Sequence, residues 1–285
     1  MPKVLITGGK GFIGKNLTDY LKNRGFQVEN PSSKEFNVLK FCDLEQCREK
    51  GIEHIIHLAG KTFVPDSWKE PENFLRINVL GTLKVIELCK ELGVGMTYVS
   101  AYIYGSVKDN PIAEDAPVLP NNPYAKSKYI AEELCEFFCD YLGMDISVLR
   151  LFNVYGPGQN EKFLIPYIIR QTMEDTNMIS VQDLKPKRDY IYIEDVCRAI
   201  EISIYRTKGY HLFNVGSGES HSVLEVIELV QKIAGTNKSI VAKDNVRKNE
   251  INDVIADINK IQQEWGWVPV VSLENGLKKC MEEAV

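Results

Sequence analysis

The chain opens, from residue 3 onward, with Lys3-Val4-Leu5-Ile6-Thr7-Gly8-Gly9-Lys10-Gly11-Phe12-Ile13-Gly14. A short apolar run with strand propensity is followed by a G-x-x-G-x-x-G turn. Apolar residues then recur at helical spacing as far as Leu21, and Gly25 closes that helix before a second strand near Val28. The stretch therefore predicts a βαβ unit whose glycines let the backbone approach a phosphate at the helix N-terminus.

The alternation of strand and helix patterns continues along most of the chain. Strands are predicted at 54–58, 96–100, 147–151 and 211–215, and helices at 71–92, 124–142, 195–205, 222–234 and 273–283. This order predicts an α/β fold with a doubly wound parallel (Rossmann) sheet and a smaller discontinuous C-terminal substrate lobe. The predicted division is a dinucleotide-binding domain of 1–160 and 189–215, and a substrate lobe of 161–188 and 216–285.

Composition excludes several classes of function. The 285 residues carry a net charge of −5 without a Lys/Arg cluster, so we expect no nucleic-acid partner. No apolar run reaches the roughly 18 residues of a membrane span, and no signal peptide is expected. The seven scattered cysteines are predicted to be reduced core thiols of a cytoplasmic protein, and no ligand pattern indicates a metal.

A tyrosine and a lysine share one face of the predicted helix at 124–142. Tyr124 and Lys128 are four residues apart in Asn122-Pro123-Tyr124-Ala125-Lys126-Ser127-Lys128. An ammonium group beside a phenol stabilises the phenolate, so Lys128 is predicted to lower the pKa of Tyr124. Ser100 ends the preceding strand at the carboxyl edge of the sheet, where doubly wound folds bind ligands.

Specificity for the dinucleotide is set at the end of the second strand. A carboxylate there binds both ribose hydroxyls of NAD and repels the extra phosphate of NADP. If the strand ends at Pro31, the residues that discriminate between the two dinucleotides are Ser32, Ser33 and Lys34. They offer two hydroxyl donors and a cation, and Lys10 in the glycine turn adds a second cation nearby. The sequence therefore favours NADP(H) and leaves NAD(H) open, because Glu29 supplies the carboxylate if the strand ends earlier.

Nearly the whole chain resembles the extended short-chain dehydrogenase/reductase family, also called the NAD-dependent epimerase/dehydratase family. The glycine turn and Ser100, four residues before Tyr104-Gly105, are part of the resemblance. It continues through His57-Leu58-Ala59-Gly60, Ile77-Asn78-Val79-Leu80-Gly81-Thr82, the Tyr124 segment, and the segments 150–159, 188–191 and 213–218.

The resemblance implies a role for each site residue. Tyr124 is implied as the general acid/base, Ser100 as the residue that binds the reacting oxygen, and Lys128 as the ligand of the nicotinamide ribose. The cofactor set implied together with the discriminating residues is Gly8, Lys10, Gly11, Phe12, Ile13, Gly14, Ser32, Ser33, Lys34, Leu58, Ala59, Gly60, Asn78, Tyr124 and Lys128. The substrate set is Ser100, Tyr102, Asn153, Arg188 and Arg247. For Arg188, an internal salt bridge with Asp189 is the structural alternative.

The reaction implied is a hydride transfer on a nucleotide-activated sugar. Family dehydratases carry an acidic residue just after the hydroxyl residue, whereas this chain has Ala101 and Tyr102. A dehydratase is therefore not expected. The segments 56–78 and 153–163 resemble nucleotide-sugar 4-keto reductases, and the missing carboxylate after the second strand agrees with them. We expect NADPH reduction of an NDP-4-keto-6-deoxyhexose, with an NAD-dependent 4-epimerase as the alternative. A non-catalytic dinucleotide sensor is a remote third reading, because such proteins lose the tyrosine or the lysine. The resemblance also implies a homodimer, in which the helices at 71–92 and 124–142 pair across a two-fold axis, although packing within one chain also explains their apolar positions.

Overall fold

The structure is a computed structural model that describes residues 1–39, 44–106, 110–206, 208–243 and 251–282, without the side chains of 44–46. The strands are β1 (Lys3–Thr7), β2 (Gln27–Glu29), β3 (His54–His57), β4 (Gly95–Ala101), β5 (Ile146–Leu151), β6 (Asn153–Tyr155), β7 (Met178–Val181), β8 (Lys187–Arg188), β9 (Tyr190–Tyr192), β10 (Tyr210–Val215), β11 (His221–Ser222) and β12 (Ser239–Ala242). The α-helices are α1 (Phe12–Asn23), α2 (Leu44–Glu49), α3 (Val64–Lys69), α4 (Pro71–Leu75), α5 (Gly81–Leu92), α6 (Pro123–Leu142), α7 (Leu164–Met173), α8 (Ile193–Tyr205), α9 (Val223–Ala234), α10 (Asn259–Trp265) and α11 (Leu273–Glu282).

Among the described residues, the central sheet has six strands in the order β10-β5-β4-β3-β1-β2, and all its pairs are parallel. From β1 the chain passes to β2 on one side of β1 and then to β3 on the other side of β1, so the winding direction of the sheet reverses at β1. Ligands of doubly wound sheets bind at such a reversal, outside the carboxyl ends of the strands. The predicted fold class is confirmed, and the glycine turn after β1 lies at this reversal.

Helices cover both faces of the sheet, which is why its strands are apolar on both sides. On one face, Ile6 and Leu149 belong to the core that includes α1 and α8 residues such as Leu17 and Ile200. On the other face, Leu5 and Val148 pack in a second core with α5 and α6. Residues next to each other in a strand face opposite cores, as Leu5 and Ile6 show.

The long helix predicted at 71–92 is divided in the structure. A π-helical turn (Arg76–Leu80) joins α4 to α5, so the helical path is continuous but its hydrogen-bond pattern changes. Such turns insert one residue and re-aim the side chains around them, frequently at functional sites. This turn buries the Asn78 side chain, which periodicity alone does not predict.

In the part of the chain that the structure describes, three two-stranded pairs lie outside the central sheet, namely β6–β9, β7–β12 and β8–β11. Strands β7 and β12 come from distant segments and pair with each other in parallel. This pairing is compatible with a lobe assembled from 161–188 and 216–285, and the two-domain division stays a prediction.

A buried ion pair fastens α6 to the sheet. The Arg150 guanidinium on β5 donates to the Glu132 carboxylate on α6, with 2.7 Å from Nη2 to Oε2 and 3.0 Å from Nε to the same oxygen. Both side chains are almost fully buried. Arg150 also donates to the Glu114 carbonyl at 3.2 Å and stacks on the Tyr104 ring. One side chain therefore connects α6, β5 and the segment after β4.

Two findings concern the surroundings of the protein. Within the described ranges, no helix is both long enough and apolar enough to cross a membrane. Cys89, Cys135, Cys139 and Cys197 are buried thiols that form no disulfide. Burial raises the pKa of each of these thiols, which keeps them protonated and unreactive. Cys42 lies outside the described residues.

Candidate active site

A deep cleft runs along the carboxyl edge of the sheet, with a volume of about 2020 Å³. Pockets for one small ligand usually have roughly 300–1,000 Å³, so this cleft has room for two. One end is formed by the glycine turn, the middle by Ser100 and Tyr124, and the far end by residues of α7 and the β7–β8 connection. The layout suits a dinucleotide and a second extended ligand that meet in the middle.

The glycine turn is shaped by contacts that exclude side chains. Gly8 has φ +73°, and a Cβ there would lie 2.7 Å from the Ala59 nitrogen. A Cβ on Gly14 would lie 2.5 Å from the Gly8 carbonyl oxygen. Gly11 caps α1, whose first turn carries no acidic side chain. The free N–H groups and positive dipole of α1 therefore face the cleft, and this cradle fits the pyrophosphate of a dinucleotide.

Strand β2 ends at Glu29, so the predicted end at Pro31 is wrong by two residues. The chain leaves the sheet because Pro31 has no N–H to donate, and the Asn30 side chain holds this segment against α1 by donating from Nδ2 to the Thr18 hydroxyl at 3.0 Å. The Glu29 carboxylate binds Lys50 at 3.0 Å and Lys3 at 3.4 Å, and these lysines lower its pKa.

The cleft-lining residues just beyond β2 differ from the predicted set in part. Lys10 and Ser33 line the cleft, whereas Glu29, Ser32 and Lys34 are not among its lining residues. The backbone carbonyl of Ser32 accepts from the amides of the next turn, and its own amide donates to the Glu35 carboxylate at 2.7 Å. This end of the cleft therefore presents a cation and a hydroxyl.

Asn78 lies behind the cleft wall rather than on it. Its Oδ1 accepts from the Lys61 amide at 2.8 Å, and its Nδ2 donates to the Lys61 carbonyl at 3.0 Å and to the Ser127 hydroxyl at 2.9 Å. The side chain thereby ties the loop after β3 to α6. Leu58, Ala59 and Gly60, on that loop, line the cleft as the sequence predicts. The structure thus assigns Asn78 to positioning this wall.

Ser100 lies at the end of β4, 4% exposed, and its hydroxyl finds no hydrogen-bond partner among the described residues. A buried hydroxyl without a partner costs stability, on the order of 1–3 kcal/mol. Because Ser100 lines the cleft, a ligand oxygen is the acceptor that would satisfy it.

Tyr124 and Lys128 both line the cleft from the first turns of α6. Pro123 occupies the first turn, and the Asn122 side chain caps the helix by accepting from the Ala125 amide at 2.8 Å. The Lys128 ammonium donates to the Val99 carbonyl at 2.7 Å and lies 4.2 Å from the centre of the Tyr98 ring. These contacts hold the Lys128 ammonium beside Val99 of β4, the residue that precedes Ser100.

The predicted lowering of the Tyr124 pKa by Lys128 is not found in this structure. Burial raises the pKa of Tyr124, and Tyr102 and Glu132 add to the increase. The Lys128 ammonium is directed to the Val99 carbonyl, and burial lowers its own pKa to about 8. Tyr124 is consequently a protonated phenol at neutral pH, which makes it a proton donor.

The predicted substrate residues Tyr102, Asn153 and Arg188 all line the cleft. The Tyr102 hydroxyl donates to Asn153 Oδ1 at 3.4 Å, and Asn153 Nδ2 donates to the Asp189 carbonyl at 3.1 Å. Arg247 lies outside the described residues.

The Asp189 carboxylate is occupied by the chain that surrounds it. It accepts hydrogen bonds from the amides of Ser217, Gly218 and Ala256 and from the Ser217 hydroxyl. This contact set explains the acidic residue of the 188–191 segment as a structural anchor. Arg188 lines the cleft, and its guanidinium donates to the carbonyls of Lys187 and Ile251 at 2.7 Å each.

Two further cleft residues were given no role from the sequence. The side-chain oxygens Gln159 Oε1 and Tyr190 Oη are buried without a partner in the described part of the chain, and both residues line the cleft. Both belong to segments that carried the family resemblance. The spacing of these two residues along the sequence does not show whether they line a cleft or lie in the core. For Tyr190, that placement depends on the pairing of β6 with β9.

The fold and this cleft define a dinucleotide-binding enzyme of the Rossmann class, with Ser, Tyr and Lys at the middle of its cleft. The model of the NAD dependent epimerase/dehydratase family matches residues 4–216. The chain belongs to this family of NAD(P)-dependent nucleotide-sugar reductases and epimerases.

Individual proteins agree with the family over almost the whole length. GDP-6-deoxy-D-mannose reductase of Pseudomonas aeruginosa is 30% identical over 293 residues, which are 99% of this chain and 96% of the relative. The solved structure of RMD from Pseudomonas aeruginosa complexed with NADPH has a TM-score of 0.91 and 30% identity. The match covers 99% of this chain and 98% of the chain in that structure. A UDP-glucose 4-epimerase from Thermotoga maritima, solved with UDP-glucose, has a TM-score of 0.89 and 29% identity at the same coverage.

The depressed pKa of Lys128 predicts a pH dependence of dinucleotide binding. The ammonium is present below about pH 8 and is lost as the pH rises through that value. We expect the dissociation constant of the dinucleotide, measured by fluorescence titration, to increase above pH 8. In Lys128→Met, binding is expected to be weaker at pH 7 and to lose this pH dependence, whereas Lys15→Met serves as a surface control. An unchanged pH profile in Lys128→Met would exclude contact between Lys128 and the dinucleotide.

Proposed function

We propose that this protein is an NADPH-dependent reductase that converts an NDP-4-keto-6-deoxyhexose to its alcohol. The observation that carries the choice of NADPH is the dinucleotide end of the cleft, where Lys10 and Ser33 line the wall and Glu29 does not. A cation and a hydroxyl donor suit a 2′-phosphate, which a carboxylate would repel. NADPH is consumed in each turnover, as a net reduction requires.

Three further points support reduction. The similar GDP-6-deoxy-D-mannose reductase is named for this kind of reaction, and the similar RMD structure holds NADPH. Ala101 and Tyr102 replace the acidic residue that elimination of water from the sugar needs. Tyr124, with its raised pKa, carries the proton that the product alcohol receives.

The residues of the chain divide the chemistry among themselves. When bound, NADPH supplies a hydride to the carbonyl carbon of the sugar. Ser100 and Tyr124 donate hydrogen bonds to the carbonyl oxygen, where negative charge grows. Tyr124 transfers its phenolic proton to that oxygen, and the C=O bond becomes CH–OH. The Lys128 ammonium stabilises the phenolate until a proton from solvent restores the phenol.

The substrate is held by the second lobe in this proposal. Arg188 binds the diphosphate, because a guanidinium matches the oxygens of a phosphate group, and Arg247 is proposed for the same role. Tyr102 and Asn153, which are already hydrogen-bonded to each other, flank the sugar. The dinucleotide is held by the glycine turn, by the loop of Leu58 to Gly60, and by Lys128.

The second candidate is a 4-epimerase with NAD, and the similarity to the Thermotoga maritima UDP-glucose 4-epimerase favours it. An epimerase oxidises and then re-reduces its substrate, so it retains its cofactor through the cycle. A reductase exchanges its cofactor each time.

The retention of cofactor separates the two reactions. The purified protein is denatured, and the released dinucleotide is measured by absorbance and mass spectrometry. We expect the protein to release little NAD and to bind NADPH reversibly and more tightly than NADH. Stoichiometric NAD in the released fraction would establish the epimerase instead. In Lys10→Ala the preference for NADPH is expected to fall about tenfold or more, because a charge-assisted hydrogen bond contributes about 1.5–3 kcal/mol; Lys15→Ala is the matched control.

Loss of the phenol tests the chemical step. In Tyr124→Phe we expect kcat to fall about 10²–10⁴-fold with dinucleotide affinity preserved, because general acid catalysis contributes this much. Turnover is followed as NADPH oxidation with an NDP-4-keto-6-deoxyhexose. Tyr20→Phe is the control, since its hydroxyl donates to Glu201 at 2.7 Å and the residue is not among those that line the cleft. Full turnover by Tyr124→Phe would rule out the mechanism.

We also propose a cytoplasmic homodimer. The exposed side of α6 carries Phe137, Tyr141 and Leu142, and the neighbouring helical segment exposes Leu75 and Leu80. The Phe137 and Tyr141 rings lie 4.7 Å apart and form a continuous apolar surface. Buried, protonated thiols agree with a reducing compartment.

Charge on the exposed side of α6 should prevent association. We expect the wild-type protein to sediment as a dimer and Phe137→Glu/Tyr141→Glu to sediment as a folded monomer. The matched control is Tyr205→Glu, an exposed tyrosine on α8. A monomeric wild-type protein would refute the dimer.

A further inference from the structure

Tyr190 carries a hydroxyl that the protein itself does not use. The residue is 7% exposed and lines the cleft, and its Oη has no hydrogen-bond partner in the described part of the chain. Burial raises its pKa, so the group is a neutral O–H donor. Phenylalanine would fill the same space without the cost of a buried, unsatisfied hydroxyl.

The neighbours of Tyr190 are the residues proposed to hold the substrate. In the β6–β9 pair, Tyr190 is the register partner of Asn153. Asn153 accepts from Tyr102, which lies two residues beyond Ser100. Arg188 lies two residues before Tyr190, and its charge acts on the Tyr190 hydroxyl.

The charges of Arg188 and of Tyr102 both act on the Tyr190 hydroxyl, so Tyr190 lies near the residues assigned to both ends of the proposed ligand. On one side, Ser100 and Tyr124 meet the reacting carbon, and on the other, Arg188 meets the diphosphate. In a hexose linked to a diphosphate through C1 and reacting at C4, the atoms between these ends are C2 and C3. Their hydroxyls are acceptors of the kind that a buried O–H donor lacks.

We infer that Tyr190 is a specificity-determining residue whose hydroxyl donates a hydrogen bond to the C2 or C3 hydroxyl of the hexose. The inference rests on the proposed function, because it takes the ligand of the cleft to be a nucleotide sugar. Substrates with a free hydroxyl at that carbon are favoured over their deoxy analogues. Discrimination arises because an analogue without the oxygen leaves the buried donor unpaired.

The test compares Tyr190→Phe with the wild-type protein in two measurements. Loss of a structural hydroxyl lowers the melting temperature, whereas loss of a binding hydroxyl weakens ligand binding and leaves the melting temperature unchanged or higher. Thermal unfolding is measured without ligand. Equilibrium binding is measured by calorimetry with GDP-mannose, UDP-glucose and dTDP-glucose, and with free GDP, UDP and dTDP. The control is Ser147→Ala, which removes another buried, unpartnered hydroxyl that is not among the lining residues of the cleft.

We expect Tyr190→Phe to melt at the same temperature as the wild type or higher. For the nucleotide sugar that the wild type binds, its dissociation constant should rise roughly 3- to 10-fold, the effect of one neutral hydrogen bond, with the free diphosphate unaffected. Ser147→Ala should leave both constants unchanged. The 2-deoxy and 3-deoxy analogues of the sugar identify the acceptor. Tyr190→Phe and the wild type should bind with equal affinity to the one analogue that lacks the hydroxyl contacted by Tyr190.

Three results would contradict the inference. A lower melting temperature of Tyr190→Phe would show that the hydroxyl has a structural partner. Unchanged binding of the nucleotide sugar by Tyr190→Phe would overturn the role of Tyr190 while leaving the proposed function intact. If the wild type binds none of the nucleotide sugars or diphosphates, the proposed function fails together with the inference.

Discussion

The ion pair between Arg150 and Glu132 holds the site together, because it fastens α6, which carries Tyr124 and Lys128, to β5, which pairs with the strand that carries Ser100. Arg150 is the register partner of Ser100 on the neighbouring strand, and Glu132 lies one turn beyond Lys128 on α6. A well-packed apolar pair of the same volume would often stabilise a protein as much or more. The charges instead fix α6 in one position along the sheet, and with it the relation of Tyr124 to Ser100.

The cleft is built at the expense of stability. Ser100 and Tyr190 bury hydroxyls without partners, and Lys128 buries an ammonium whose pKa falls to about 8. Since the unfolded lysine keeps its proton up to its ordinary pKa of 10.5, stability rises with pH between these two values. Hydrophobic packing on both faces of the sheet offsets these costs, and a bound ligand satisfies the unpartnered groups.

Positioning residues outside the cleft account for much of its precision. Asn78 uses its whole amide to join the loop after β3 to α6, and Asp189 gathers the amides of Ser217, Gly218 and Ala256. A residue of this kind resembles a ligand-binding residue in sequence, since both are polar and lie in motifs. Only the direction of the side chain separates the two roles, and for Asn78 that direction is away from the cleft.

The sequence by itself determined the parallel sheet and the glycine turn, because these depend on local periodicity. It also placed Tyr124 and Lys128 on one helix face, whereas their grouping with Ser100 came from the family resemblance, and in the structure all three line the cleft. The sequence did not determine the end of β2, where the chain leaves the sheet two residues early and the Asn30 side chain holds it against α1. The tertiary structure decided that Glu29 pairs with Lys3 and Lys50, that Lys10 and Ser33 line the cleft, and that Tyr190 lies beside Asn153. These facts depend on contacts between segments far apart in the chain, and spacing along a sequence carries no record of such contacts.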